Sequence, residues 1–150
     1  MIDEATWAAY VTAHVRVRTQ AGSDLVVVPA RRGRVTGVFP APAGTTVHVI
    51  TAHNPGGRVR AADVNEREHG RLLDAVRGLG LEAWRAAGGD PQWEHVEESV
   101  AVLGLDDRQA RELGTRFGQD AVFCWRRDEL VVLACSGTRR SVSGWTSRPL

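Results

Sequence analysis

Short β-branched runs cut off by proline and glycine constrain this sequence more than any other feature. Val47 to Ala52 is a nearly continuous apolar run, and it stops abruptly at His53-Asn54-Pro55-Gly56-Gly57. Such a run is expected of a central strand buried on both faces. Proline and paired glycines then end sheet pairing. Earlier, Val15 and Val17 alternate with Arg16 and Arg18, and Leu25 to Val28 follows a polar turn. The change to a period of two predicts a β-hairpin with a loop of about four or five residues. A second hairpin is expected from Ala121–Trp125 and Leu130–Cys135 around the polar turn 126–129.

Helical spacing separates these strands. Residues 3–12 read as a short helix with Asp3 as its cap. A longer helix begins at Asp63 or Asn65 and carries Leu72, Leu73, Val76 and Leu79 at helical intervals. Asp106 caps a third, whose buried face is Ala110, Leu113 and Phe117. Leu81–Arg85 is a further strand leading into a turn-rich Ala86–Pro91, and Val96–Leu103 is another. A mixture of hairpins and helical crossovers predicts an α+β fold. The expectation is one domain over residues 1–135, with a mixed or antiparallel sheet, two main helices and the short N-terminal one. Residues 136–150 read as an extended, partly mobile C-terminal tail, with Trp145 docked somewhere.

Composition removes several kinds of chemistry. A chain of 150 residues that is 43% hydrophobic can bury a real core. All 19 basic residues are arginine, so no lysine Schiff base or P-loop lysine is available. A net charge of +1 gives no general attraction to nucleic acid or an anionic membrane. No apolar stretch approaches the roughly 20 residues of a membrane span, and residues 1–20 show no secretory pattern. Cys124 and Cys135 make no disulfide framework, and a turn centred between Arg127 and Asp128 would set them opposite Val131 and Asp120. A cytoplasmic protein is expected, without a metal or other cofactor: GxGxxG, Walker, HExxH and GxSxG motifs are all absent from the sequence.

The candidate chemistry lies at strand ends. His53 offers a general base or proton shuttle, and Asn54 an orienting amide, beside glycines that admit a ligand to the main chain. Glu98 projects to the same side as Val96, Val100 and Val102 by the period of two. A carboxylate there needs an arginine partner or an opening pocket, since burial without a partner is costly. Glu97 is expected to face solvent. Gln119, at the Phe117-Gly118-Gln119 corner, and Asn65 could bind a ligand, or serve only as a loop tie and a helix cap.

At these segments the chain resembles a bacterial family of unknown function, domain of unknown function 3293. The family pattern is an Ile-Thr-Ala-x-Asn-Pro strand end, a helix beginning near an Asn, a Trp-x-Glu-type strand and a Phe-Gly-Gln corner. These stand here as Ile50-Thr51-Ala52-His53-Asn54-Pro55, Asn65, Trp93 through Glu98-Ser99, and Phe117-Gly118-Gln119, and the likeness covers residues 10–133. Where the family pattern has tryptophan, this chain has His53, so the resemblance makes Asn54, Glu98 and Gln119 the shared polar set. It implies a fold family and a candidate pocket, and no reaction.

Two classes of function therefore stay open. In one, His53, Asn54, Glu98, Gln119 and Asn65 line a polar pocket for a small polar molecule. Its enzymatic form has Glu98 as acid–base group, His53 assisting, and Asn54 and Gln119 positioning the substrate. In the other, those residues only brace loops, and exposed arginines with Trp125 or Trp145 meet a protein partner. RNA binding through Arg16, Arg18, Arg31, Arg32 and Arg34 is a weaker third option, because no aromatic side chains interleave with them.

Overall fold

The barrel in the computed structural model, which describes residues 2–150, starts from the hairpin read above. Helix α1 (Glu4–Thr12) is capped by Asp3, whose carboxylate accepts the Thr6 N–H at 2.7 Å. Strands β1 (His14–Arg18) and β2 (Asp24–Ala30) follow, then the short β3 (Val35–Thr36) and β4 (Val47–Thr51). Helix α2 (Ala62–Gly78) leads to β5 (Ala83–Gly89) and β6 (Val96–Leu103). Helix α3 (Asp107–Arg116), β7 (Ala121–Trp125), β8 (Leu130–Ala134) and β9 (Arg140–Pro149) complete the chain.

The strands pair in the order β2-β1-β5-β6-β4-β7-β8-β9, and β9 pairs back onto β2. Among the described residues this is a closed antiparallel barrel of eight strands, with β3 outside it, parallel to β9. The expected α+β fold with a mixed or antiparallel sheet is therefore corrected to a mostly β barrel with three helices. The cause of the difference is β9. Its residues Arg140–Ser143 pair with β8 and Gly144–Pro149 with β2, which removes both sheet edges. Within residues 136–150, read as a tail, Arg140–Pro149 form β9, a wall of the barrel. Backbone pairing does not need the apolar alternation that β9 lacks. Likewise β5 continues through Ala86–Gly89, which the sequence reads as turn; there Val15 pairs with Gly88 and His14 with Gly89.

Two apolar layers result. Val15, Val17, Val27, Val49, Trp84, Ala101, Trp125 and Trp145 fill the interior. Trp125 and Trp145 meet edge to face at 5.3 Å between centroids, and Phe39 meets Trp125 in the same way at 5.1 Å. Outside, α2 and α3 lay Leu72, Val76, Ala110, Leu113 and Phe117 over Ile50, Val100, Val102, Val122 and Val131. Strands β4, β7 and β8, and most of β6, are thus covered on both faces, and their runs read as nearly unbroken apolar stretches. Helix α1 closes one end, with Trp7 packed among Ala121, Val132 and Ala134. The loop after β4 opens at that same end.

Candidate functional site

The loop His53–Gly57 is held by its neighbours almost atom by atom. Thr51 Oγ1 donates to the Glu98 carbonyl at 2.7 Å and accepts the His53 N–H at 3.0 Å. Asn54 then adopts left-handed backbone (φ 47°, ψ 60°), a region Asn tolerates better than most side chains. Asn65, in the first turn of α2, accepts the Asn54 N–H on Oδ1 at 3.0 Å and donates from Nδ2 to Asn54 Oδ1 at 2.9 Å. The same Asn54 oxygen accepts the Arg60 N–H at 2.9 Å, and its Nδ2 donates to Glu97 at 3.1 Å. Gln119 donates to the carbonyls of His53 at 3.0 Å and Phe117 at 3.3 Å. Gly118 is required where it stands: its φ is 71°, and a Cβ there would lie 2.7 Å from Pro55 Cβ.

Asn54, Asn65 and Gln119 are thus brought together around the loop. Their hydrogen bonds tie the loop to α2, to the corner at Phe117 and to Glu97, which makes them the frame that presents His53 and Glu97. Asn65 and Gln119 are buried.

Of the two adjacent glutamates, Glu97 leaves the solvent-facing place expected of it, while Glu98 stands where a groove opens at the start of β6. Glu98 does share a face with Val100 and Val102, but at its level that face is the outer wall beside α2, and its side chain is 61% exposed. Glu97 points to the other face, is half-buried, and accepts the Asn54 amide. Burial pushes the Glu97 carboxyl above its ordinary value, and the Asn54 hydrogen bond pulls it partly back.

Helix α2 supplies a residue the sequence reading passed over. His69 Nε2 lies 3.6 Å from Glu98 Oε2, and its ring meets that of His53 edge to face at 5.9 Å. His69 Nδ1 is buried and has no partner among the described residues. Burial lowers the His53 pKa, the nearby His69 lowers it further, and Glu98 opposes both. Glu98, His69 and His53 therefore form a carboxylate–imidazole–imidazole row. The available signal was position: His69, Leu73 and Val76 lie on one helical face.

Glu98 also lines a groove of about 700 Å³ between α2 and the outer faces of β1, β5 and β6. Its floor includes Leu73, Val76 and Val100, and its rim carries Arg16, Arg18, Arg77 and Arg85. A second cavity, about 970 Å³, lies at the barrel end away from α1, beside Trp84, Leu103, Pro40 and Pro42. It contains none of the sequence-predicted site residues.

Metal-ligating types meet elsewhere. His48, Asp107 and Cys124 hold donor atoms within 4.8 Å of one another, beneath the first turn of α3. Asp107 pairs with His48 at 2.8 Å through one oxygen and with Arg126 through the other. Burial pushes the Cys124 thiol far up and the Cys135 thiol up to about 11, so both stay protonated near neutral pH. The cluster thus acts as a clasp from α3 to the barrel wall. Both cysteines are free, and Cys124 stands opposite Val131, as the hairpin register predicted.

A family model described as "Protein of unknown function (DUF3293)" matches residues 50–122. That segment holds His53, Asn54, Asn65, His69, Glu97, Glu98 and Gln119, and it leaves out α1, β1 and β2. No curated protein and no solved structure matches the chain. No helix among the described residues is long and apolar enough to cross a membrane.

Proposed function

Because the chain belongs to the DUF3293 family of unknown function, the reading must come from its residues, and we propose that it binds and transforms a small polar metabolite. The single observation that carries this is the row of Glu98, His69 and His53, whose first member, Glu98, lines a groove large enough for such a molecule. His53, kept neutral by its surroundings, is the base that takes a proton from the bound molecule. His69 is the acid, its Nε2 lying 3.6 Å from the Glu98 carboxylate. Asn54, Asn65 and Gln119 position the loop and not the substrate, which revises the binding role first expected of them. Two free thiols fit a cytoplasmic setting.

The test is a metabolite library screened by ¹H–¹⁵N chemical-shift mapping, followed by turnover of the hits. The expected result is shifts at His69, Glu98 and Ala87, with turnover lost in Glu98→Gln and His69→Gln while binding survives. Unchanged turnover in both variants would remove the acid–base assignment. The protein-interaction reading keeps its exposed arginines but loses its aromatic anchors, because Trp125 and Trp145 are both inside the barrel.

A further inference from the structure

The groove beside Glu98 carries an asymmetry of charge that the acid–base row does not use. Strand register sets Glu98 of β6, Ala87 of β5 and Arg16 of β1 side by side on the outer wall. Adjacent strands lie about 4.8 Å apart, so the carboxylate and the guanidinium rise from backbones about 10 Å apart. Between them stands only the methyl group of Ala87. One step along the same face, Val100 is paired with Arg85.

Arg16, Arg18 and Arg85 gather around a single carboxylate, Asp24. Arg18 takes it, with Nε to Oδ1 at 3.0 Å and Nη2 to Oδ2 at 3.1 Å. Arg77, across the groove on α2, is paired with Asp74 at 3.1 Å. Arg16 and Arg85 have no ion pair among the described residues. Arg16 is also held in place: its guanidinium lies 4.0 Å from the centre of the Trp93 ring, and its Nε is buried without a hydrogen-bond partner. Trp93 in turn packs where Gly89 has no side chain, since a Cβ there would come within 2.5 Å of the ring. A preset guanidinium with an unmet donor, a second unpaired arginine beside it, and a floor of Leu73, Val76 and Val100 have one common complement.

We propose that the groove's ligand is a small amphipathic anion. Its carboxylate or phosphate head binds Arg16 and Arg85, and an apolar stem of about six carbons crosses Ala87 toward Val100 and Leu73. This deepens the metabolite-binding reading and rests on it: the anionic head anchors the molecule at one wall and presents its other end to His69 and Glu98.

The test uses hexanoate, hexyl phosphate and hexan-1-ol as probes on the full chain, followed by ¹H–¹⁵N shifts and titration calorimetry. At least one of the two anions is expected to bind about tenfold more tightly than the alcohol, and to weaken severalfold as salt is raised. Arg85→Gln and Arg16→Gln should each lose about fivefold or more of the anion affinity and leave the alcohol unchanged. Arg85 is exposed, so its variant keeps the test decisive even where loss of the Arg16–Trp93 stack disturbs folding. The two heads are distinguished by which anion binds more tightly. Equal binding of alcohol and anions, unaffected by both arginine variants, overturns the anionic class and leaves the metabolite-binding reading in place. If no probe moves the signals of Ala87, Val100 or Leu73 at millimolar concentration, the groove is not the binding site, and both readings fall.

Discussion

Asn65 mirrors Asn54: one side-chain amide closes on both the backbone N–H and the side-chain oxygen of the other, at 3.0 and 2.9 Å. This pair ties the start of α2 to the loop after β4, and it fixes Asn54 in left-handed backbone. Asn65→Ala leaves the partly buried Asn54 N–H without its partner. The expected cost is about 2–3 kcal/mol of unfolding free energy, read from chemical denaturation. Asn65→Asp, which keeps the acceptor and loses the donor, should fall between wild type and alanine.

Barrel closure through β9 gives a second expectation. Trp145 is buried in the interior, its Nε1 donates to the Arg126 carbonyl at 2.9 Å, and its strand pairs on both sides. Trp145→Ala should cost about 3–5 kcal/mol. A chain ending at residue 135 exposes the unpaired edges of β2 and β8, and circular dichroism with size-exclusion chromatography should find it unfolded or aggregated.

How much of this was legible in the sequence follows from where side chains meet solvent. The β1–β2 hairpin was legible because Val15 and Val17 face the core while Arg16 and Arg18 do not. The β7–β8 register was legible too, since its polar turn fixed Cys124 against Val131. Strand β9 was not, because Ser, Gly, Thr and Arg dominate it and its role is carried by main-chain hydrogen bonds. Without β9 the strands cannot be counted as a closed ring, and the fold class goes with it. At the site, turn chemistry and strand ends singled out Asn54, Asn65 and Gln119, but as pocket residues for a ligand, and their hydrogen bonds to the loop could not be read from the sequence. Period-two reasoning did set Glu98 with Val100. Strand β6 is covered on both faces further along, however, so alternation alone cannot say which face opens at its start. Glu97 was set facing solvent for that reason, and His69 was hidden inside a helix read only for its apolar positions.

The clasp beneath α3 makes stability depend on pH in a defined direction. His48 is fully buried, and burial lowers its pKa; Asp107 opposes this and Arg126 adds to it. The folded protein therefore refuses a proton that the unfolded chain accepts near 6.5, the ordinary value for histidine. This contribution to stability is fully present above about pH 6.5 and is lost as pH falls below it. Asp107 stays ionised in this range, because His48 and Arg126 hold its pKa below the ordinary carboxylate value. Thermal denaturation from about pH 7 to about pH 5 should show Tm falling in wild type and falling less in His48→Gln. His14 and His53, whose pKa values are also lowered, contribute in the same direction and leave a residual slope.

The central claim is that Glu98, His69 and His53 act as one electrostatic unit, and an NMR titration of the His53 ring tests it most directly. Wild-type His53 is expected to titrate below 6.5, since burial and His69 both disfavour its cation. His69→Gln should move it upward toward 6.5, and Glu98→Gln should move it further down, because the carboxylate favours the charged form. Opposite shifts in the two variants would establish the coupling. A His53 that titrates near 6.5 in wild type and in both variants would contradict it, and the acid–base reading of the groove would go with it.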